Sequence, residues 1–309
     1  MSDARGVDVS VAVGAVQLPT PVIAASGTFG YGTEFAGLVD LSAVGAISVK
    51  GLSLRPSAGK PAPRLIETPG GMLNAIGLQN IGVDAFLRDR LPALRAAGAR
   101  VIANFWGDTV EEFADCAARL DGAPGVVALE LNASSPNRPE WGSILATDPV
   151  ALGTIVRAVR ARVHAVPLWV KLSPNVSDIT QVARAAAGEG ADALCAINTL
   201  RGLSIDLEQR RPRLASGGGG LSGPAIKPVA LRMVHDLVRT IQIPVVAIGG
   251  IRTGEDALEF LVTGAAAIQV GTATFYDPSS PVRIANEIRN WCVAHKISAV
   301  RDVIGTLRP

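Results

Sequence analysis

"RVIANFWGDTVEEFADCAARLDGAPGVVALELNA", residues 100 to 133, holds one full turn of the pattern that decides the fold. It opens and closes on apolar runs, "RVIANFW" (100–106) and "VALELNA" (127–133). Neither alternates in polarity, so both fit strands covered on two faces. Between them Val110, Phe113, Ala114, Ala117 and Leu120 fall on one face at helical spacing, with Asp108 or Thr109 placed to cap the helix. The unit is strand, crossover helix, parallel strand.

Working outward, the same kind of run recurs at 21–27, 45–51, 167–173, 193–199, 244–250 and 266–272, and each gap has room for a crossover. "DPVALGTIVRAVRARV" (148–163) supplies a second plain helix, with Leu152, Ile155, Val156, Val159 and Val163 on one stripe, Asp148 as cap and Pro149 at the first helical position. Eight β/α units predict an α/β fold, a TIM (β/α)8 barrel with extended loops at its carboxyl end, the longest gaps being 52–99 and 200–243. A doubly wound sheet would carry a GxGxxG turn after its first strand, and none is present. No Pro-, Ser- or charge-rich linker divides the chain, so residues 1–309 read as a single domain.

Composition narrows the function. A 48% hydrophobic content supports a large core, and a formal charge of +2 without a basic run lacks the footprint of a nucleic-acid binder. The three cysteines, Cys116, Cys195 and Cys292, are scattered without CxxC spacing, so no disulfide framework or metal site is expected. The opening "MSDARGVDVSVAVGAV" has no unbroken apolar stretch, and no run of apolar residues is long enough to cross a membrane. A cytoplasmic protein acting on a small ligand is expected.

In such a barrel the carboxyl ends of the strands line the active site. Here they read Ser26, Lys50, Asn104, Asn132, Lys171, Asn198, Gly249-Gly250 and Gly271-Thr272. The glycines after strands seven and eight suit a phosphate approaching open backbone N–H groups, or a tight turn that needs positive φ. Lys50 and Lys171 end apolar strands, so each needs an anionic or electron-rich partner, either a ligand or a neighbouring carboxylate. Asn74, Asn132, Asn137 and Asn198 offer the paired donors and acceptors that recognise a planar amide ring and a carboxylate, although asparagine also favours turns.

These residues lie in stretches that resemble the dihydroorotate dehydrogenases, and more closely the class 1B, NAD-linked catalytic subunits, over nearly the whole chain. The resemblance rests on "ASGTFGYG" (25–32), "SVKG" (48–51), "TPGGMLNAIGLQN" (68–80), "VKLSPNVSDI" (170–179), "INTLRG" (197–202), "GGLSGPAIKPVAL" (219–231), "GGI" (249–251) and "VGTA" (270–273). It implies FMN-dependent oxidation of dihydroorotate to orotate in pyrimidine (UMP) synthesis. Ser26, Lys50, Gly51, Asn104, Asn132, Lys171, Ile197, Gly223, Gly249, Gly250, Gly271 and Thr272 would then hold FMN. Lys50, Asn74, Ala75, Ile76, Gly77, Leu78, Asn132, Asn198 and Thr199 would hold orotate.

The resemblance also places a base in the loop after strand four, where "NASSPN" (132–137) puts Ser135 at a position that is usually Cys in the soluble classes. Ser135 would take a proton from C5 while hydride leaves C6 for flavin N5, and a serine hydroxyl needs a neighbouring acceptor to do so. Further implications are a homodimer and electron transfer to NAD through a partner subunit with FAD and a 2Fe-2S cluster, which three isolated cysteines cannot build. Phe105 and Trp106, and the loop 138–147, depart from the family's wording. They leave open a flavin barrel for another dihydropyrimidine, or a non-catalytic flavin- or phosphate-binding barrel.

Overall fold

The expected runs become β1 (Val22–Ala24), β2 (Ala46–Ser48), β3 (Val101–Phe105), β4 (Val126–Leu131), β5 (Leu168–Lys171), β6 (Ala193–Ala196), β7 (Val245–Ile248) and β8 (Ala267–Val270). In the computed structural model, which describes residues 6–134 and 145–308, almost every residue of these strands is buried. Each strand pairs in parallel with the next, and β8 returns to β1 through Ile268↔Val22, Gln269↔Ile23 and Val270↔Ala24, closing the barrel. Burial on both faces explains why the runs are continuously apolar.

Around the barrel run α1 (Val83–Asp89), α2 (Leu91–Ala96), α3 (Val110–Leu120), α4 (Pro149–Arg160), α5 (Ile179–Gly188), α6 (Lys227–Val238), α7 (Gly254–Thr263), α8 (Ala273–Tyr276) and α9 (Ser280–Ala294). The Thr109 hydroxyl caps α3 by accepting from the Glu112 N–H at 3.1 Å, while Asp148 caps α4 by accepting from Val150 N–H at 2.8 Å. One unit differs from expectation. Between β1 and β2 the chain makes only two 3-10 turns, Thr33–Phe35 and Leu41–Ala43. Gly27, Gly30, Gly32 and Gly37 interrupt that segment, and each glycine weakens a helix by about 1 kcal/mol relative to alanine.

The two long gaps meet. Leu65–Thr68, Gly71–Asn74, Leu200–Gly202 and Gly219–Ser222 form one antiparallel sheet in which Gly220, Leu221 and Ser222 oppose Asn74, Leu73 and Met72. A small second core of Leu73, Ala75 and Leu214 backs this sheet. No helix among the described residues is long and apolar enough to cross a membrane.

Candidate active site

The carboxyl ends of the barrel strands and the antiparallel sheet enclose a cavity of about 310 Å³, within the range of small-molecule and cofactor sites. Every residue that the resemblance assigns to the flavin lines it, as do Lys50, Asn74, Ile76, Gly77, Leu78, Asn132, Asn198 and Thr199 from the substrate set. Ala75 does not. Its side chain is fully buried in the second core with Leu73 and Leu214, because alternate residues of an extended segment face opposite ways. Ser135 and Asn137, and residues 138–144 of the following loop, lie outside the described residues.

The two lysines have different surroundings. Lys171 is 5% exposed, donates to the Ser26 hydroxyl at 3.1 Å and stands 3.5 Å from the carboxylate of Glu130. Lys50 makes no side-chain hydrogen bond or ion pair among the described residues, and burial together with the nearby Arg64 charge pushes its pKa below 10.5, against the pull of Glu34. A half-buried ammonium with no ion pair among the described residues is a place where an anionic or electron-rich ligand group would be welcomed.

Glu130, absent from the rim list, organises the floor of the cavity. It comes from β4, is fully buried, and accepts from Ser48 Oγ at 3.1 Å, Ser26 Oγ at 3.3 Å, Asn104 Nδ2 at 2.5 Å and Gln269 Nε2 at 2.6 Å. Contacts to β2, β3 and β8 at once are possible only from inside the barrel. Burial pushes its carboxyl up, but the Lys171 charge and the hydrogen bonds outweigh burial and hold it below the ordinary value. The sequence signal was a lone carboxylate in "VALELN", where every neighbouring strand residue is apolar. Ser134, the residue before the predicted base, is also fully buried and accepts from Asn198 Nδ2 at 2.8 Å.

The glycines divide. Gly250 has φ +74°, and a Cβ there would lie 2.7 Å from the Lys227 Cβ and 2.8 Å from its backbone nitrogen, so the fold itself requires glycine. Gly271 has no left-handed φ, and a Cβ there would meet nothing nearer than Ala25 Cβ at 3.7 Å. No atom among the described residues requires glycine at Gly271, which lines the cavity and leaves the space a methyl would fill to a ligand. The backbone N–H groups of Gly249, Gly250 and Thr272 donate to no acceptor among the described residues. This cradle fits a phosphate, and Lys50 with Asn104, Asn132 and Lys171 fits the electron-rich edge of a flavin.

The family model "Dihydroorotate dehydrogenase" matches residues 9–291. The chain is 55% identical over 300 residues to the "Dihydroorotate dehydrogenase B (NAD(+)), catalytic subunit" of Citrifermentans bemidjiense, covering 97% of this chain and 98% of that one. It is 54% identical over 300 residues to the protein of the same name from Geobacter sulfurreducens, with the same coverage. A crystal structure of DHODH from Eimeria tenella in complex with ferulenol superposes with a TM-score of 0.76 at 23% identity, covering 97% of this chain and 88% of that chain, which supports the fold.

Proposed function

The chain belongs to the dihydroorotate dehydrogenase family, and from that premise we propose that it oxidises dihydroorotate to orotate in pyrimidine synthesis with FMN held in the barrel mouth. The observation that carries this reading is the convergence in one cavity of a lysine with no ion pair among the described residues, hydrogen-bonded asparagines and an open glycine backbone. Bound there, FMN would supply two-electron oxidation of a carbon–carbon single bond. Gly223, Gly249, Gly250, Gly271 and Thr272 would hold its phosphate. Ser26, Lys50, Gly51, Asn104, Asn132, Lys171 and Ile197 would hold the remainder.

The substrate would meet Lys50, Asn74, the stretch Ile76 to Leu78, Asn132, Asn198 and Thr199. Asn132 and Asn198 are linked through Ser134, whose hydroxyl donates to Asn132 Oδ1 at 3.2 Å. Their free edges suit ring amides and a carboxylate, and amides fixed before binding spend less entropy on capture. Ser135 is the proposed base at C5. An alcohol has little basicity of its own, so it needs an acceptor for its proton. Ser134, held by both asparagines, anchors the chain one residue ahead of it.

The relatives are named as NAD(+)-linked catalytic subunits, which supports NAD as acceptor and a separate partner subunit; that the partner carries FAD and a 2Fe-2S cluster is proposed from the family resemblance. A cytoplasmic homodimer is proposed from the family resemblance and not from those names. The test is single-turnover bleaching of the yellow protein by dihydroorotate without oxygen. Ser135→Ala should slow it by about a hundredfold or more with FMN content unchanged. An unchanged rate removes the base assignment, and bleaching by another dihydropyrimidine alone removes the substrate assignment.

A further inference from the structure

We propose that Glu130 is a positioning residue that sets the direction of a relay of amides and hydroxyls running toward Asn198, and thereby decides which edge of Asn132 a pyrimidine ligand meets. The proposal deepens the reading given above and rests on it for the identity of the ligand.

An ionised carboxylate can only accept hydrogen bonds. Asn104 must therefore turn its Nδ2 toward Glu130 Oε1, at 2.5 Å, which leaves its Oδ1 to accept from Asn132 Nδ2 at 3.4 Å. With its nitrogen committed, Asn132 presents Oδ1 to the Ser134 hydroxyl at 3.2 Å and to Asn198 Nδ2 at 3.4 Å. Ser134 has then spent its proton and accepts from Asn198 Nδ2 at 2.8 Å. The last amide is fixed at both ends, because Asn198 Oδ1 accepts the Thr199 N–H at 2.8 Å. Each amide by itself could flip with little change in shape. Asn104 and Asn132 take this direction because the first of them faces a group without protons, and the Thr199 N–H holds Asn198 in the same sense.

A second observation supports the dominance of Glu130. Gln269 directs its Nε2 to Glu130 at 2.6 Å, although this leaves the buried Gln269 Oε1 with no hydrogen-bond partner among the described residues. An orphaned buried acceptor is unfavourable. The amide adopts that orientation because the reverse would set an oxygen against the carboxylate. Lys171 and Ser26 add a branch of the same polarity, since Ser26 donates to Glu130 and accepts from Lys171. The carboxyl is held below its usual range, so it remains acceptor-only at neutral pH.

Glutamine at position 130 has both a donor and an acceptor and no longer dictates direction. The full chain carrying FMN is titrated with orotate, following the flavin absorbance as a binding signal independent of turnover. Glu130→Gln should keep FMN and weaken orotate about tenfold to a hundredfold, the effect expected when buried polar partners are mismatched. Gln269→Leu removes another partner of Glu130 without breaking the relay, and should change orotate affinity by less than about threefold. Orotate affinity unchanged in yellow E130Q overturns the proposal, as does an equal loss in Q269L, which would mean general loosening of the floor.

If E130Q does not accumulate folded, neutron diffraction on the perdeuterated wild-type protein decides. The deuterons of Asn104 should face Glu130 and those of Asn132 should face Asn104; the opposite orientation at either overturns the proposal. Failure of the functional reading is distinguishable, since wild-type protein would then take up no FMN or orotate while the amide orientations stayed measurable.

Discussion

Gly271→Ala separates a glycine kept for a ligand from one kept for the backbone. The added methyl would sit 3.7 Å from Ala25 Cβ and 3.8 Å from Thr28 Cγ2, ordinary contact distances, in a backbone without left-handed φ. Alanine at a compatible position restricts the unfolded chain and stabilises by about 0.4–1 kcal/mol. For a chain of this size that raises the melting temperature of the FMN-free protein by about 1–3 °C. The same methyl occupies the cradle proposed for phosphate. Loss of one charge-assisted hydrogen bond, about 1.5–3 kcal/mol, weakens FMN about tenfold to a hundredfold. Gly250→Ala is the contrasting variant. With φ +74° and the Lys227 backbone 2.8 Å away, it should melt lower whether or not FMN is present. Scanning calorimetry of the apoprotein and quenching of FMN fluorescence read the two effects. A Gly271→Ala protein that melts lower without FMN, or binds FMN as the parent does, refutes the reasoning.

The remaining expectations use other features. Anion capture requires protonated Lys50, so orotate affinity should be flat at neutral pH and fall by about tenfold per pH unit above a break below 10.5, and Lys50→Met should remove the break; a break that survives the substitution assigns it elsewhere. Burial pushes the Cys116 thiol up to about 12 and Cys195 well above its ordinary value, so iodoacetamide at neutral pH should modify neither until urea unfolds the chain. Rapid labelling of the native protein would contradict that. Asp148→Ala removes the acceptor for Val150 N–H and should reduce stability by about 1 kcal/mol in calorimetric melts, and an unshifted melt would show that the cap is dispensable.

The barrel was legible because parallel strands buried on both faces read as continuous apolar runs, and because the carboxyl ends of those strands share one mouth. Ser26, Lys50, Asn104, Asn132, Lys171 and Asn198 meet there for that reason alone. The pairing of 71–74 with 219–222 was not legible, since nothing local in either segment marks a partner so distant in the chain. Glu130 was missed because a single carboxylate inside an apolar run looks like an irregular strand until Lys171, Asn104 and Gln269 close around it. Ala75 was carried over with its neighbours as part of a motif, yet strand alternation turns it away from the cavity.

Anaerobic titration of the purified chain with dihydroorotate, followed by flavin absorbance near 450 nm, tests the proposed chemistry most directly. The expected result is a yellow protein bleached completely by about one equivalent of dihydroorotate per FMN. A colourless protein that takes up no added FMN, or a yellow one that dihydroorotate leaves unchanged, would contradict it.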